Sequence, residues 1–253
     1  MILIAEKEED RERARLLGEQ YFLEVFPCLP EGLEEELYLS LSEEGLSLNQ
    51  GKLKLLEDWG KMLPRLKQSN LEHELLLKAV RLKENKNPRV LDATAGLGED
   101  SLILAAGGCC ITLCEYDPVI FLLLSDARDR ALKNESLAAV VSRMTLFSGD
   151  SLKLMEEQRG SFDVVYLDPM FPGRTKSADV KKKFQLLHGL ERPCENEEEL
   201  LKAALSSKVK KVVVKRPVKG AYLAGLRPDH DFSGKAVRYD VYINPEVHLT
   251  KLR

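Results

Sequence analysis

The stretch RVLDATAGLGEDSLILAAGGCCITLCEYD, residues 89–117, holds two short apolar runs separated by a glycine-containing turn and a segment of helix length. The first run is RVLDA (89–93) and the second is ITLCEY (111–116). A strand, a crossover helix and a second strand form the βαβ unit, which makes the two strands parallel neighbours in one sheet. The stretch therefore predicts the start of a parallel sheet.

The same alternation continues towards the end of the chain. Four more runs of strand length follow, MTLFSG (144–149), FDVVYLD (162–168), KKVVVK (210–215) and VRYDVYI (237–243). Segments of helix length lie between the runs, at 100–106, 118–133, 151–158 and 177–190. Strands that alternate with helices are typical of a parallel sheet covered on both faces. We predict a doubly wound α/β domain from about residue 85 onwards.

The N-terminal part has a different character. Residues 1–60 contain fifteen Asp and Glu against six Lys and Arg, and short apolar alternations are mixed with turn residues. This pattern predicts a small α+β module at residues 1–70. A helical repeat at 72–83 comes next and ends before Pro88, because the residue before a proline avoids helical backbone angles. The second domain is therefore assigned to residues 71–253.

Composition excludes several classes of protein. The chain has 253 residues, 44% of them hydrophobic, and a formal net charge of −3. No apolar run approaches the roughly 18 residues of a membrane span, and the N-terminus becomes charged where a signal peptide is apolar, so we expect a cytoplasmic protein. Five cysteines without a C-x-x-C pair and four scattered histidines form no metal-ligand pattern, so we expect no metal.

The turn after the first strand is a candidate binding site, because ligands of a doubly wound sheet bind beyond the carboxyl ends of its strands. Gly96 and Gly98 allow a tight turn and the close approach of a ligand to the backbone. Ser101 stands where the dinucleotide fingerprint G-x-G-x-x-G has its third glycine, so that fingerprint is incomplete. A turn that only joins a strand to a helix explains both glycines equally well.

Acidic residues follow the next two strands. Glu115 can accept hydrogen bonds from both hydroxyls of a ribose, and Tyr116 can lie against an adenine ring. Asp150 can accept a hydrogen bond from an adenine amino group, and Ser151 can cap the next helix, although capping explains Asp150 equally well. A glycine turn followed by an acid at the second strand end favours a nucleoside-binding site over solvated surface.

The fourth strand ends in DPMFP (168–172), which brings a carboxylate, a stiff turn and an aromatic ring to the same edge. An exocyclic amino group of a nucleobase is a poor nucleophile, because its lone pair is delocalised into the ring. Hydrogen-bond acceptors for its N–H groups favour a pyramidal, nucleophilic nitrogen, and the Asp168 carboxylate and the Pro169 carbonyl are such acceptors. Phe171 offers a face for stacking, which is worth about 1–3 kcal/mol per base.

These motifs together resemble a known family. LDPMF resembles the [D/N]-P-P-[Y/F] motif of amino-group methyltransferases that use S-adenosylmethionine, with Met170 in place of the second proline. DATAGLG (92–98), YLDPMFP (166–172), KS-x-x-VKK (176–182) and VVVKRP (212–217) resemble the ribosomal RNA small subunit methyltransferase J family over about residues 88–243. That family methylates guanine N2 in 16S rRNA.

The resemblance implies a fold, a cofactor and a partner. The fold is a Rossmann-like class I methyltransferase sheet, the cofactor is S-adenosylmethionine, and the partner is small-subunit rRNA or the small ribosomal subunit. It also implies cofactor contacts at Glu99 and Asp100, Glu115 and Tyr116, Asp150 and Ser151, and Asp168. At residues 99 and 116 the family usually has basic side chains, so backbone contacts are expected there.

Basic residues cluster after the reaction motif. Thirteen Lys and Arg lie between residues 174 and 219, against six Asp and Glu. Phosphate contacts position RNA without reading its sequence. We expect six of these residues to bind RNA: Lys176, Lys181, Lys182, Lys183, Lys215 and Arg216. A solvated lysine face on a surface helix is the alternative explanation for residues 181–183.

The sequence thus favours methyl transfer from S-adenosylmethionine to guanosine N2 in 16S rRNA, without a metal or a covalent intermediate. The target guanosine is expected to be unpaired or flipped, because a base inside a helix cannot enter an enclosed pocket. Three alternatives remain open: an amino methyltransferase acting on DNA adenine or cytosine, a nicotinamide-dependent oxidoreductase, and a non-catalytic ribosome assembly factor. The oxidoreductase would leave DPMFP without a role.

Overall fold

Strands from the first 56 residues form a small sheet in the computed structural model, which describes residues 1–169, 186–187, 190 and 197–251. The spatial order is β2-β1-β3-β4-β5. The strands are β1 (Ile2–Ala5), β2 (Glu24–Phe26), β3 (Tyr38–Ser42), β4 (Gly45–Gln50) and β5 (Leu53–Leu56). β1 pairs in parallel with β2 and β3, whereas β3, β4 and β5 form an antiparallel meander. Helix α1 (Glu8–Tyr21) joins β1 to β2, so this part has the predicted α+β content, while its boundary at residue 70 stays a prediction.

The second sheet has seven strands within the described residues, in the order β11-β12-β10-β9-β6-β7-β8. They are β6 (Arg89–Asp92), β7 (Cys110–Glu115), β8 (Met144–Ser148), β9 (Val164–Leu167), β10 (Lys211–Pro217), β11 (His230–Ser233) and β12 (Val237–Ile243). β6 to β10 are parallel to one another. All six predicted strands are present, and the doubly wound sheet is confirmed.

One edge of this sheet adds antiparallel strands to the predicted parallel sheet. β12 lies between β10 and β11 and runs antiparallel to both. β11 was not predicted, because HDFS is short and mostly polar. Among the described strands it pairs with β12 at the edge of the sheet. The order of strands at this edge depends on pairing between distant segments, which a local pattern does not show.

Helices cover both faces of the second sheet. They are α2 (Gln68–Leu71), α3 (Leu75–Val80), α4 (Glu99–Ala106), α5 (Pro118–Leu132), α6 (Ala138–Val141), α7 (Ser151–Glu157) and α8 (Glu197–Ser206). α4, α5 and α7 lie at the predicted segments, α3 is shorter than the predicted helix, and α6 and α8 were not predicted. The segment 177–190 lies almost wholly outside the described residues. Within the described ranges, no helix combines the length and the apolar character that crossing a membrane requires.

Helix α5 packs against both sheets and joins their cores. It begins where the Asp117 side chain accepts hydrogen bonds from the backbone of Val119 (2.8 Å) and Ile120 (3.0 Å), a common N-terminal cap. Leu124 and other residues on one side pack into the core of the large sheet. Val119, Ile120 and Leu123 pack with the small sheet. The glycine turn and the N-terminal part therefore meet at this helix.

Candidate active site

Hydrogen bonds tie together the loops at the carboxyl edge of the large sheet. The backbone N–H of Asp168 donates to the Thr94 hydroxyl at 2.6 Å, which joins the ends of β9 and β6. The N–H of Gly96 donates to Glu115 Oε2 at 2.8 Å, which joins β6 and β7. The N–H of Gly149 donates to the backbone carbonyl of Glu115 at 2.9 Å. Four strand ends that are distant in sequence thus form one surface.

The two glycines of the turn have different surroundings. Both have positive φ, +53° at Gly96 and +77° at Gly98, where side chains are strained. A Cβ on Gly96 would meet no atom within 4 Å, whereas a Cβ on Gly98 would lie 2.8 Å from both Trp59 and Leu124. The Trp59 indole N–H also donates to the Leu97 carbonyl at 3.0 Å. Gly96 therefore borders open space, and Gly98 makes room for Trp59.

Trp59 is a site-supporting residue that sequence reasoning missed. It is 1% exposed and lies in a 3₁₀ turn (Trp59–Met62) that follows the small sheet. It is the only tryptophan of the chain, and that was the one signal available in the sequence. Its contact with the glycine turn could not be foreseen, because the two segments are about 40 residues apart.

Acidic side chains follow β7 and β8 as expected. Both oxygens of Glu115 accept backbone hydrogen bonds, from Gly96 and from Asp117 (2.8 Å each), and burial raises the pKa of this carboxyl. Tyr116 is 74% exposed. Asp150 Oδ1 accepts the N–H of Leu152 at 2.9 Å, so Asp150 caps α7, and the expected cap, Ser151, is the first residue of that helix.

Asp100, Asp168 and Lys215 form a compact group, which we name the carboxylate–lysine cluster. The Lys215 ammonium donates to Asp100 Oδ2 at 2.6 Å and to Asp168 Oδ2 at 2.8 Å. The Tyr166 hydroxyl donates to Asp100 Oδ2 at 2.6 Å. Asp100 comes from the first turn of α4, Asp168 from the end of β9 and Lys215 from β10. Glu99, next to Asp100, is exposed.

Burial and charge act against each other in this cluster. Burial raises the pKa of Asp168, and the nearby charge of Asp100 raises it further, while Lys215 opposes both. Burial also acts to raise the pKa of Asp100, but the attraction of Lys215 outweighs it and holds this pKa below its usual value. Burial alone would lower the pKa of Lys215, but the two carboxylates raise it above its usual value.

A third carboxyl, Asp92, is buried close to Asp100 and Asp168 and was not assigned a role from the sequence. It is 2% exposed and accepts hydrogen bonds from the Ser101 hydroxyl at 2.6 Å and the Thr94 N–H at 3.2 Å. Burial raises its pKa to about 7, although the bond from Ser101 opposes this. Asp92 thus supports the loop that receives the N–H of Asp168. Among the described residues, no group of three or more His, Cys, Asp or Glu side chains could hold a metal ion.

Comparisons with known proteins agree with this geometry. A family model described as "Putative SAM-dependent methyltransferase" matches residues 28–244. A protein named ribosomal RNA small subunit methyltransferase J from Thioalkalivibrio sulfidiphilus is 39% identical over 245 residues, which cover 93% of this chain and 94% of the relative. A protein of the same name from Marinobacter nauticus is 43% identical over 214 residues, which cover 81% of this chain and 77% of that one. The chain belongs to the ribosomal RNA small subunit methyltransferase J family.

A solved structure extends the comparison to three dimensions. The crystal structure of a SAM-dependent methyltransferase from Neisseria gonorrhoeae matches this chain with a TM-score of 0.77 and 31% identity, and the match covers 96% of each chain. The protein is therefore a methyltransferase of the J family that uses S-adenosylmethionine, and the class I fold expected from the sequence is confirmed.

The residues at the carboxyl edge fit this cofactor chemically. S-adenosylmethionine presents ribose hydroxyls, an adenine ring and a sulfonium cation. The edge offers open space beside Gly96, a carboxylate at Glu115 that two backbone amides hold in place, and the exposed ring of Tyr116. In the carboxylate–lysine cluster, two carboxylates face one ammonium group, and this excess of negative charge suits a cation.

Two of the expected RNA-binding residues have other surroundings in this J-family member. Lys215 points into the carboxylate–lysine cluster. The Arg216 side chain is 5% exposed, donates to the Ala221 carbonyl at 2.8 Å and lies 3.4 Å from Glu197 of α8. Both cations bind partners within the protein in this arrangement, and their contact with RNA stays a prediction. Pro169 follows β9 and is buried, whereas Phe171 and the basic residues Lys176, Lys181, Lys182 and Lys183 lie outside the described residues.

Proposed function

We propose that this protein transfers a methyl group from S-adenosylmethionine to the exocyclic N2 of a specific guanosine in 16S rRNA, free or in the small subunit, in the cytoplasm. The shared name of its relatives supports small-subunit rRNA as the substrate. One observation supports the assignment of an amino group as the methyl acceptor. The Asp168 carboxylate is partly exposed at the edge where the cofactor residues meet, and Lys215 binds one of its two oxygens.

The geometry of Asp168 suits an acceptor for an amino group. Lys215 binds one oxygen, Oδ2, and 35% of the Asp168 side chain is exposed. Across the residues that the structure describes, Lys215 binds Oδ2 and no hydrogen bond to Oδ1 of Asp168 is present, so we assign Oδ1 as the acceptor for the substrate. An N–H of the guanine amino group would donate to Oδ1, and the carbonyl of Pro169 would take the second N–H. These two bonds favour a pyramidal nitrogen whose lone pair is directed at the methyl group.

The cofactor supplies an electrophilic methyl group on a sulfonium centre. Glu115 would hold the ribose hydroxyls and Asp150 the adenine amino group, and the backbone of the turn at Gly96 and Gly98 would follow the rest of the nucleoside. We assign the remaining contacts to Glu99, Asp100, Tyr116, Ser151 and Asp168. The protein contributes mainly by holding two reactants in line, which can supply about 7–11 kcal/mol of a barrier.

The base must leave its helix to reach this edge. Flipping a nucleotide costs a few kcal/mol, and stacking on an aromatic ring in the site offsets part of that cost. We assign the stacking to Phe171 and the phosphate contacts to Lys176 and Lys181–Lys183. Lys215 and Arg216 bind partners within the protein, so we assign the phosphate contacts to these four lysines.

The first experiment compares methyl acceptors. Labelled S-adenosylmethionine is supplied with small subunits that lack the modification, with the rRNA extracted from them, and with duplex DNA. The expected result is label in guanosine as the N2-methyl product from one or both rRNA samples and none in DNA. Label in DNA adenine or cytosine, or in no acceptor although the cofactor binds, would refute the proposal.

The role of Asp168 is tested by Asp168→Ala. We expect methyl transfer to fall by at least about 10²-fold, because the amino group loses the acceptor that positions it. The melting temperature should be unchanged or slightly higher, since Asp168 adds negative charge to a buried cluster. Asp231→Ala on the exposed edge strand β11 is the control and should transfer methyl at the normal rate. Full activity of Asp168→Ala would remove Asp168 from the mechanism.

A further inference from the structure

We propose that Lys215 is a positioning residue for methyl transfer, which holds the Asp168 carboxylate by one oxygen and anchors it to Asp100. This inference rests on the proposed function, in which the other oxygen of Asp168 receives the guanine amino group. It replaces the RNA-binding role that the sequence suggested for Lys215.

The contact geometry is specific to this role. A lysine ammonium has three N–H donors, and here two of them reach Asp100 Oδ2 (2.6 Å) and Asp168 Oδ2 (2.8 Å). Because Lys215 binds Oδ2, the rotation of the Asp168 carboxylate is restricted, and Oδ1 is the oxygen that we assign to the guanine amino group. The Tyr166 hydroxyl donates to the same oxygen of Asp100, Oδ2, at 2.6 Å and helps to hold it in place. Residues of α4, β9 and β10 thus hold the Asp168 carboxylate in place through these hydrogen bonds.

The cluster also requires Lys215 for its charge. Titratable and charged groups surround the carboxylate–lysine cluster from several elements: Asp92 on β6, Asp100 on α4, Tyr166 on β9, Lys215 and Arg216 on β10, Tyr239 on β12, and Arg65 before α2. Burial and the charge of Asp100 favour the protonated form of Asp168, and Lys215 opposes them. A protonated carboxyl accepts hydrogen bonds poorly, so the amino group would lose its acceptor.

Lys215→Met tests the inference by the pH profile of methyl transfer to rRNA. Removing the cation should raise the pKa of Asp168, because the opposing attraction is lost. We expect kcat to fall at least about tenfold at neutral pH, and the acidic limb of the kcat profile to move up by about one to three pH units. The KM for rRNA and the Kd for S-adenosylmethionine should stay within about threefold. Lys215→Arg, which keeps the charge, should leave the limb near its wild-type position.

Asp100→Asn should move the acidic limb of the kcat profile in the opposite direction to Lys215→Met. It removes a negative charge beside Asp168, so the acidic limb should move to lower pH while kcat falls because the anchor of Lys215 is weakened. Lys219→Met, which removes an exposed cation just after β10, is the control for net charge and should leave the limb unmoved. The downward shift in Asp100→Asn, compared with the unmoved limb of Lys219→Met, tests the inference even if Lys215→Met does not fold.

Several outcomes would overturn the inference. A raised KM for rRNA with unchanged kcat would return Lys215 to phosphate binding. A lower melting temperature with an unmoved pH profile would make the lysine purely structural. A titration of ¹³C-labelled aspartate carboxyls by NMR, with Asp168→Asn to assign the signal, follows the same pKa without activity. If wild-type enzyme methylates no rRNA, the proposed function fails, and the NMR titration still decides whether Lys215 controls Asp168.

Discussion

Two groups of buried charges in this protein have opposite balances. In the carboxylate–lysine cluster, two carboxylates share one ammonium group. On α5, the single carboxylate of Asp126 receives two arginines: Arg13 at 2.6 Å and Arg130 at 2.7 Å. Its Oδ2 also accepts the backbone N–H of Leu46 in β4 at 3.0 Å. We name these residues the Asp126 cluster.

The difference separates structural support from chemistry. The Asp126 side chain is 2% exposed and both of its oxygens are occupied, so this cluster joins α1, α5 and the small sheet and has no acceptor to offer a ligand. The carboxylate–lysine cluster has excess negative charge, shifted pKa values and, in Asp168, a carboxylate side chain that is 35% exposed. Shifted pKa values in a concave, partly exposed group are typical of reacting sites.

The largest effect on stability should come from Asp126→Ala. It removes the acceptor that Arg13, Arg130 and the Leu46 N–H share, although Arg130 keeps the Glu57 carbonyl, and we expect a loss of about 3–5 kcal/mol of unfolding free energy. The folded fraction should methylate rRNA at the normal rate, because the cluster is structural. Chemical unfolding followed by circular dichroism measures the loss. Asp129→Ala on the exposed side of α5 should change stability by less than about 0.5 kcal/mol, and equal losses in both variants would contradict the contrast between the clusters.

A change of intermediate size is expected from Asp92→Asn, and it depends on pH. The pKa of Asp92 is about 7 in the folded protein, against about 3.9 in an unfolded chain. The folded state therefore keeps a proton that the unfolded state releases, and the stability of the wild type falls as pH rises from about 4 to 7. Asp92→Asn removes this loss, so the variant should be about 2–4 kcal/mol more stable than the wild type at pH 8 and nearly equal at pH 4.

Urea unfolding at a series of pH values measures this difference. Asp129→Asn, an exposed change of the same chemistry, should follow the wild-type pH dependence. If Asp92→Asn also follows it, the buried carboxyl does not carry the proton assigned to it.

A smaller effect is expected from Trp59→Phe, which weakens the link between the N-terminal part and the glycine turn. The loss of the indole bond to the Leu97 carbonyl should lower stability by about 1–2 kcal/mol. The Kd for S-adenosylmethionine should rise a few-fold, because the turn is less firmly held. Calorimetric titration with the cofactor measures this. Phe22→Ala, at a side chain that is 94% exposed, should change neither value, and an unchanged Kd in Trp59→Phe would separate the two regions.

Much of the fold could be predicted from the sequence because it depends on local patterns. Six strands of the large sheet follow from apolar runs that are bounded by turn residues, and α5 begins at Asp117 and Pro118, a common helix start. The edge strand β11 and helix α8 could not be predicted in the same way. HDFS lacks an apolar run, and β11 is a strand because β12 pairs with it.

The candidate site divides along the same line. Gly96, Glu115, Asp150 and Asp168 were predicted because each lies at or shortly after the carboxyl end of a strand of a parallel sheet, where ligands bind. Asp92 and Trp59 were missed, since each acts through a partner that is not its neighbour in sequence. Ser101 illustrates the limit, because it was noted only as a missing glycine, whereas in the structure it donates to Asp92.

The sequence by itself determined the alternation of strands and helices, the glycine turn and the acids at the ends of β7, β8 and β9, because these features depend on neighbouring residues. Only the tertiary structure decided which partners Lys215 and Arg216 bind. Strand alternation places them on opposite faces of β10. It does not show that Lys215 contacts the carboxylates of Asp100 and Asp168, or that Arg216 contacts Glu197 of α8. The reason is physical: the energy of a buried charge depends on its partners, and these come from segments distant in the chain.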